Sequence, residues 1–138
     1  MKHKLKTSIF LSALAVLILH IVNCFIKAAS TVKNLLSKDR GTFFHWRFGN
    51  IYYTKTGEGT PLLLIHDLSP YSSSYEWNEM IHKLSKDHTV YALDLLGCGR
   101  SDKPSMTYTN FLYVQLVSDF IKQVIGQKTD VAATGMSS

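Results

Sequence analysis

The stretch that decides the fold is Asp94–Asp102, with the sequence DLLGCGRSD. It follows a short apolar and β-branched run, Thr89–Leu93, which predicts a strand that is buried on both faces. Gly97 and Gly99 predict that the chain then turns tightly rather than continuing the strand. We expect Asp94 to accept hydrogen bonds from the amides of this loop and so to hold its turn.

Outward from this stretch, short strands alternate with helices. Pro61–His66 predicts a second buried strand, and the apolar spacing within Tyr75–Lys86 predicts the helix after it. Downstream, Thr109–Ile125 predicts a helix that is capped by its first residue and ended by Gly126. Asp130–Thr134 predicts a last short strand. Such alternation indicates a parallel sheet that helices cover on both faces.

A β-hairpin is predicted before this alternating region. Its two strands, Thr42–Phe48 and Ile51–Thr56, are rich in aromatic and β-branched residues, and Gly49-Asn50 between them suits a tight two-residue turn. The predicted fold class over residues 41–138 is therefore α/β, with a β-hairpin followed by a parallel βαβαβ unit.

Three polar segments follow the three predicted parallel strands, where active sites of such sheets lie. They are His66-Asp67-Leu68, the D-x-x-G-x-G-x-S segment Asp94–Ser101, and Gly135-Met136-Ser137-Ser138. With these segments in this order, residues 41–138 resemble the α/β-hydrolase family, and the second segment is the most specific part of the likeness. The resemblance implies the N-terminal half of an α/β-hydrolase sheet, ending at the nucleophile elbow.

Ser137 is the predicted catalytic nucleophile. A serine hydroxyl needs a sharp turn to expose it and a base to take its proton, and Gly135 permits such a turn. A plain Gly-Ser-rich tail is the alternative interpretation of these last residues. The resemblance implies that the backbone N–H groups of Leu68 and Ser138 form the oxyanion hole.

The sequence departs from the family where it has His66-Asp67 in place of the usual His-Gly. A carboxylate at this point would hinder an oxyanion site unless it points away or is paired. The resemblance makes His66 structural and places the catalytic base later in the chain; His66 as the base is the weaker alternative. Asp94 as a triad acid is likewise weaker than its role in the loop. Asp67, Gly97, Gly99 and Gly135 are expected to be structural near the site.

Charge is distributed unevenly along the chain. Residues 1–40 contain seven of the fifteen Lys and Arg residues and one of the ten acidic residues, so the net charge of +5 arises there. A nucleic-acid binder would carry its basic residues on the folded domain, so nucleic acid is not an expected partner. Histidines 45, 82 and 88 lack the spacing of metal ligands, and on the family's logic neither a metal nor an organic cofactor is needed.

The N-terminal region predicts one transmembrane helix. Residues 7–26 contain no Asp, Glu, Lys or Arg, and a helix of this length spans the hydrocarbon core of a bilayer. The predicted organisation is a basic tail (1–6), a signal-anchor (7–26) in the lipid bilayer, a linker (27–40) and the partial hydrolase domain (41–138). The basic tail predicts a single-pass protein whose folded part is extracytoplasmic, although basic residues also flank the other end. A signal peptide cleaved before Thr31 is the alternative.

The expected function of the intact protein is membrane-anchored serine hydrolysis of an ester, amide or other acyl bond in a small-molecule substrate. The resemblance places the triad acid and histidine after residue 138, so this chain is expected to be a truncated form that is inactive alone. A non-catalytic hydrolase-like binding protein, which Asp67 would suit, and a remnant without function are the alternatives. The resemblance implies Asp at the position of Ser137 in dehalogenases and epoxide hydrolases, so the serine argues against those activities.

Overall fold

The computed structural model describes residues 2–32 and 41–138, which belong to two compact units, residues 1–38 and 39–138. In the first unit, α1 (Lys2–Val32) is a single long helix. Its segment Lys6–Ala28 has a mean hydropathy of 2.5 and is long and apolar enough to cross a membrane, a test that signal sequences also pass. The helix includes residues 27–32 of the predicted linker, and residues 33–40 lie outside the described part of the chain.

The second unit contains a five-stranded sheet and two α-helices, with shorter helical turns. The strands are β1 (Thr42–Trp46), β2 (Gly49–Thr56), β3 (Thr60–Ile65), β4 (His88–Leu93) and β5 (Asp130–Ala133). The α-helices are α2 (Asn78–Leu84) and α3 (Asn110–Phe120). A 3₁₀ turn (Ser74–Trp77) precedes α2, a π-helical turn (Ile121–Ile125) extends α3, and a second 3₁₀ turn (Gly135–Ser137) follows β5.

The strand order is β1-β2-β4-β3-β5. The hairpin β1-β2 joins the rest of the sheet through antiparallel pairing of β2 with β4, whereas β4, β3 and β5 are parallel. Ile65 at the end of β3 pairs with both Leu93 of β4 and Ala133 of β5. The three parallel strands therefore end at the same level, and the loops that follow them start from one edge of the sheet.

Helices pack on both faces of the sheet, as the alternation of elements predicts. On one face, α3 contributes Leu116 and Phe120 to a core that includes Leu63 and Leu93, all of them buried. On the other face, a smaller cluster contains three buried strand residues and side chains of the α2 region: Leu64, Val90, Ala92, Trp77, Ile81 and Leu84. The prediction of an α/β fold is confirmed, with a mixed sheet in which the hairpin supplies the antiparallel part.

The hairpin turn lies two residues earlier than the sequence predicts. Trp46 pairs with Gly49, so the two-residue loop is Arg47-Phe48 and Gly49-Asn50 begins β2. Gly49 has φ +150°, and a Cβ there would lie 2.8 Å from the Cβ of Asp102. The Asp102 carboxylate accepts the Asn50 N–H at 2.7 Å. The glycine is therefore needed for the close approach of a later loop, and not for the turn.

The predicted helices form with small changes at their ends. Thr109 caps α3, since its Oγ1 accepts the Leu112 N–H at 3.2 Å, and Gly126, in the left-handed conformation (φ +73°), ends the π-helical turn. The predicted helix Tyr75–Lys86 is divided into the 3₁₀ turn and α2, which stops at Leu84. Ser73 caps the 3₁₀ turn through its Oγ, which accepts the Tyr75 N–H.

Candidate active site

The loops after β3, β4 and β5 meet at the shared edge of the sheet. The pairing of β3 with β5 continues one step further, because the Thr134 N–H donates to the Ile65 carbonyl at 3.2 Å. This contact brings the segment after β3, His66-Asp67-Leu68, beside the turn that carries Ser137. The segment after β3 also contacts the segment around Asp94, because the Leu95 N–H donates to the His66 ring at 2.9 Å. The structure thus brings all three predicted segments together, with His66-Asp67-Leu68 in contact with each of the other two.

Asp94 is fully buried and joins two loops. Its Oδ1 accepts the Ser74 N–H at 2.6 Å and its Oδ2 accepts the Arg100 N–H at 2.8 Å. Gly99 has φ +48°, and a Cβ there would overlap the Asp94 carboxylate. Since both of its oxygens are engaged by backbone amides, Asp94 holds the loop that contains Gly97 and Gly99, as the sequence suggests.

Ser101 has a role that sequence reasoning missed. It is almost fully buried, its hydroxyl donates to the Asp94 carbonyl at 2.6 Å, and its Oγ accepts the Tyr52 N–H at 2.8 Å. The serine thereby ties the loop after β4 to the neighbouring strand β2. The final serine of the D-x-x-G-x-G-x-S segment was the available signal, although the motif alone does not reveal the partner.

His66 is fully buried, and both nitrogens of its ring have partners. Nε2 accepts the Leu95 N–H at 2.9 Å, so Nδ1 carries the proton and donates to the Asp67 carbonyl at 2.7 Å. The ring therefore connects the loops after β3 and β4. A ring held in this way has no nitrogen left to take a proton from Ser137, whose hydroxyl instead donates to the His66 carbonyl at 2.7 Å.

Ser137 lies in the 3₁₀ turn that follows β5, where Gly135 has φ +59°. It lines an open, mainly apolar cavity of about 600 Å³ together with Leu68 and Ser138, the predicted oxyanion-hole residues. The Ser138 N–H makes a long hydrogen bond to the Gly135 carbonyl, at 3.4 Å. The three residues that the sequence assigns to the chemistry thus share one cavity wall. Other lining residues include Tyr113, Val114, Val117, Val131 and Met136.

Asp67 is half-buried, and its carboxylate turns towards the serine turn. Its Oδ1 accepts the Met136 N–H at 2.8 Å, and a Cβ at Gly135 would overlap this carboxylate. Glu76, which sequence reasoning missed, lies next to it. One Glu76 oxygen, Oε2, accepts both the Asp67 N–H at 3.3 Å and the Thr134 hydroxyl at 3.1 Å. The Asp67 carboxylate is thus paired with the backbone amide of Met136, and Glu76 holds the backbone of Asp67 beside Thr134.

Two titratable groups near the cavity are held in their neutral forms. Burial raises the pKa of the Cys98 thiol, and the sulfur contacts the Ser69 carbonyl at 3.5 Å. Burial also raises the pKa of Tyr113 to about 12, and its hydroxyl donates to the Leu96 carbonyl at 3.2 Å. Since the thiolate is the reactive form of cysteine, Cys98 is a poor nucleophile at neutral pH. Within the described residues, no group of three or more His, Cys, Asp or Glu side chains could hold a metal ion.

Comparisons with known proteins agree with the fold. The model of the alpha/beta hydrolase family matches residues 62–138. A 2-hydroxy-6-oxo-6-(2'-aminophenyl)hexa-2,4-dienoic acid hydrolase from Metapseudomonas resinovorans is 35% identical over 71 residues, which are 51% of this chain and 24% of that protein. A soluble epoxide hydrolase from a Corynebacterium species is 43% identical over 54 residues, which are 39% of this chain and 18% of that protein.

Solved structures show the same likeness. An alpha/beta hydrolase fold protein from Burkholderia ambifaria superimposes with a TM-score of 0.64 and 29% identity, over 69% of this chain and 34% of that protein. A haloalkane dehalogenase from Agrobacterium tumefaciens superimposes with a TM-score of 0.65 at 21% identity, over 71% of this chain and 33% of that protein, and this identity supports the fold alone. The chain spans about a quarter of the length of the first curated relative and about a third of these structures.

Proposed function

Because this chain belongs to the alpha/beta hydrolase family, we propose that its protein is a membrane-anchored serine hydrolase that cleaves an ester, amide or related acyl bond of a small molecule. The named relatives are hydrolases, which supports hydrolase activity in general. The finer assignment depends on one observation: Ser137 lies on the turn after β5, its hydroxyl half-buried at the wall of a cavity that Leu68 and Ser138 also line.

In the proposed reaction, Ser137 Oγ attacks the acyl carbon of the substrate. The Oγ–C bond forms, the hydroxyl proton passes to a general base, and that base returns it to the leaving group as the bond to the acyl carbon breaks. Water then cleaves the acyl-enzyme in the same way and restores the hydroxyl. The backbone N–H groups of Leu68 and Ser138 would stabilise the oxyanion, a contribution of about 3 kcal/mol for each donor in comparable enzymes.

The Ser137 hydroxyl donates to the His66 carbonyl, so it must rotate before a base can accept its proton. The same hydrogen bond keeps the oxygen within the cavity and beside the loop that carries Leu68. A serine at this place supports acyl transfer, because the family resemblance implies an aspartate there in epoxide hydrolases and haloalkane dehalogenases. Relatives with those two names therefore support the fold, but they do not indicate which bond this protein cleaves.

The anchor is the second part of the proposal. Segment Lys6–Ala28 is helical, and the side chains of its apolar residues are exposed, with Phe25 74% accessible. Such a surface is costly in water and favourable in lipid. The basic residues at positions 2, 4 and 6 support a cytoplasmic N-terminus, and hence an extracytoplasmic hydrolase unit.

A serine-directed fluorophosphonate probe tests the catalytic part. The protein should be expressed in membranes from the complete coding sequence that contains residues 1–138. We expect the wild type to be labelled and to hydrolyse p-nitrophenyl esters, and Ser137→Ala to lose labelling and at least about 10³-fold of the rate. Ser105→Ala, at an exposed serine, is the matched control and should retain both. A Ser137→Ala protein that is labelled as fast as the wild type would exclude Ser137 as the nucleophile.

A further inference from the structure

We propose that the side chain of Asp67 is a positioning residue, which fixes the turn that carries Ser137 by capping it from another loop. This inference rests on the proposed function of Ser137. The contact on which it depends joins Asp67 Oδ1 to the Met136 N–H at 2.8 Å, one residue before the nucleophile.

The first step is that the residue before the turn does not cap it. The first N–H groups of a helical turn have no partner within the turn, and the residue that precedes the turn usually supplies one through its side chain. Thr134 occupies that position and has the right chemistry, but makes no such hydrogen bond. Its hydroxyl donates instead to Glu76. The Met136 N–H is therefore satisfied by Asp67, which is 69 residues away in the sequence.

The second step is that the backbone of Asp67 is itself held in place. Its carbonyl accepts hydrogen bonds from the buried ring of His66 at 2.7 Å and from the Ser69 N–H at 2.8 Å. Its N–H donates to Glu76 at 3.3 Å. A short side chain on a backbone that is held from both sides can deliver an acceptor to one point with little freedom, which a longer side chain could not do.

The third step is that the turn is shaped to receive this carboxylate. Gly135 has no Cβ, and a Cβ there would occupy the space that Asp67 Oδ1 fills. Two residues after Gly135, the Ser137 hydroxyl donates to the carbonyl of His66, which directly precedes Asp67. The short segment His66-Asp67 thus contacts the turn both before and at the nucleophile. The departure from His-Gly in this chain is consistent with such a capping role.

The test compares side chains that differ in acceptor geometry and in charge. Asp67→Asn keeps an oxygen at the same distance without the charge, Asp67→Glu keeps the charge on a longer side chain, and Asp67→Ala removes the acceptor. We expect Asn to retain kcat for a p-nitrophenyl ester within about threefold. Glu and Ala should lower kcat about 10- to 100-fold, because a misplacement near 1 Å has an effect of this size. KM should change less than about twofold, since most of the residues that line the cavity lie outside this turn.

Glu79→Ala is the matched control, because Glu79 is an exposed carboxylate in the first turn of α2, three residues after Glu76. It should leave kcat, KM and probe labelling unchanged. Thermal unfolding of each variant shows whether it is folded. If Ala prevents folding, the comparison of Asn with Glu still decides the question.

Two results would overturn the inference: Asp67→Ala or Asp67→Glu with the wild-type kcat, or Asp67→Asn as slow as Asp67→Glu. The second result would show that an acceptor oxygen at the original distance is not sufficient to hold the turn. Failure of the proposed function is distinguishable, because the wild type would then not be labelled at Ser137. In that case the inference fails together with the assignment of the nucleophile.

Discussion

At the scale of single residues, the buried carboxylate of Asp94 shows how one side chain organises the edge of the sheet. Burying a charge is unfavourable unless hydrogen bonds replace those lost to water. Asp94 is fully buried, and its two oxygens accept the N–H groups of Ser74 and Arg100, which belong to different loops. One residue therefore fixes the start of the helical region before α2 and the glycine turn after β4.

Replacement of Asp94 by Ala should lower the free energy of unfolding by about 3–5 kcal/mol. The variant loses two charge-assisted hydrogen bonds and leaves two backbone N–H groups without a partner in the interior. Urea unfolding of the detergent-solubilised protein measures the loss, with Asp87→Ala, at an exposed aspartate, as the control. An Asp94→Ala protein as stable as that control would mean that water replaces the carboxylate without cost.

The sequence predicts the contact of Asp94 with Arg100 because this partner lies in the adjacent glycine loop, which has a recognisable pattern, whereas the contact with Ser74, 20 residues earlier, is not predicted. It does not predict the partners of Asp67. The sequence leaves open where that carboxylate points, because its partner, Met136, lies 69 residues later in the chain. Glu76 escapes prediction for the same reason, because its contact with Thr134 spans 58 residues. Contacts between distant loops depend on sheet order, which no local pattern contains.

At the scale of elements, hydrophobic pattern and end signals place the strands and helices within a few residues. The hairpin turn is the informative error. Gly49 favours a turn at its own position when only neighbouring residues are considered. Its actual use is to admit Asp102, whose carboxylate accepts the Asn50 N–H. A glycine signals either a turn or a close approach, and tertiary structure decides between them.

The N-terminal cap of α3 gives a prediction at this scale. Thr109→Ala removes the side-chain acceptor of the Leu112 N–H and should destabilise the protein by about 1 kcal/mol. Thr107→Ala, at an exposed threonine two residues earlier, is the matched control and should change stability by less than about 0.5 kcal/mol. The difference between the two urea midpoints, at equal slope, is the measurement. Equal midpoints would show that another group satisfies this amide.

At the scale of the second unit, residues 39–138, the strand order explains why the candidate site forms at this edge of the sheet. From β3 the chain passes through α2 to β4 on one side, and then through α3 to β5 on the other side of β3. Connections that cross between parallel strands have the same, right-handed sense. Two such connections that run in opposite directions along the sheet therefore place their helices on opposite faces. The reversal occurs at β3, so the loops after β3 and β5 lie on either side of a crevice at the carboxyl ends of the strands. Ser137 and Leu68 line the same cavity there because of this topology.

At the scale of the whole protein, the last prediction concerns the N-terminal helix. The wild-type protein should remain in the membrane pellet after extraction with alkaline carbonate and should retain residues 1–30 at its N-terminus. Leu14→Lys combined with Leu17→Lys should release it or prevent insertion, because each charge at the centre of a spanning helix costs about 3 kcal/mol. Lys33→Ala, outside the apolar segment, is the control. A mature protein that begins at Thr31 would instead establish a cleaved signal peptide. In that case the proposed hydrolase would still be exported, because both signals direct the chain across the membrane, but it would not stay attached.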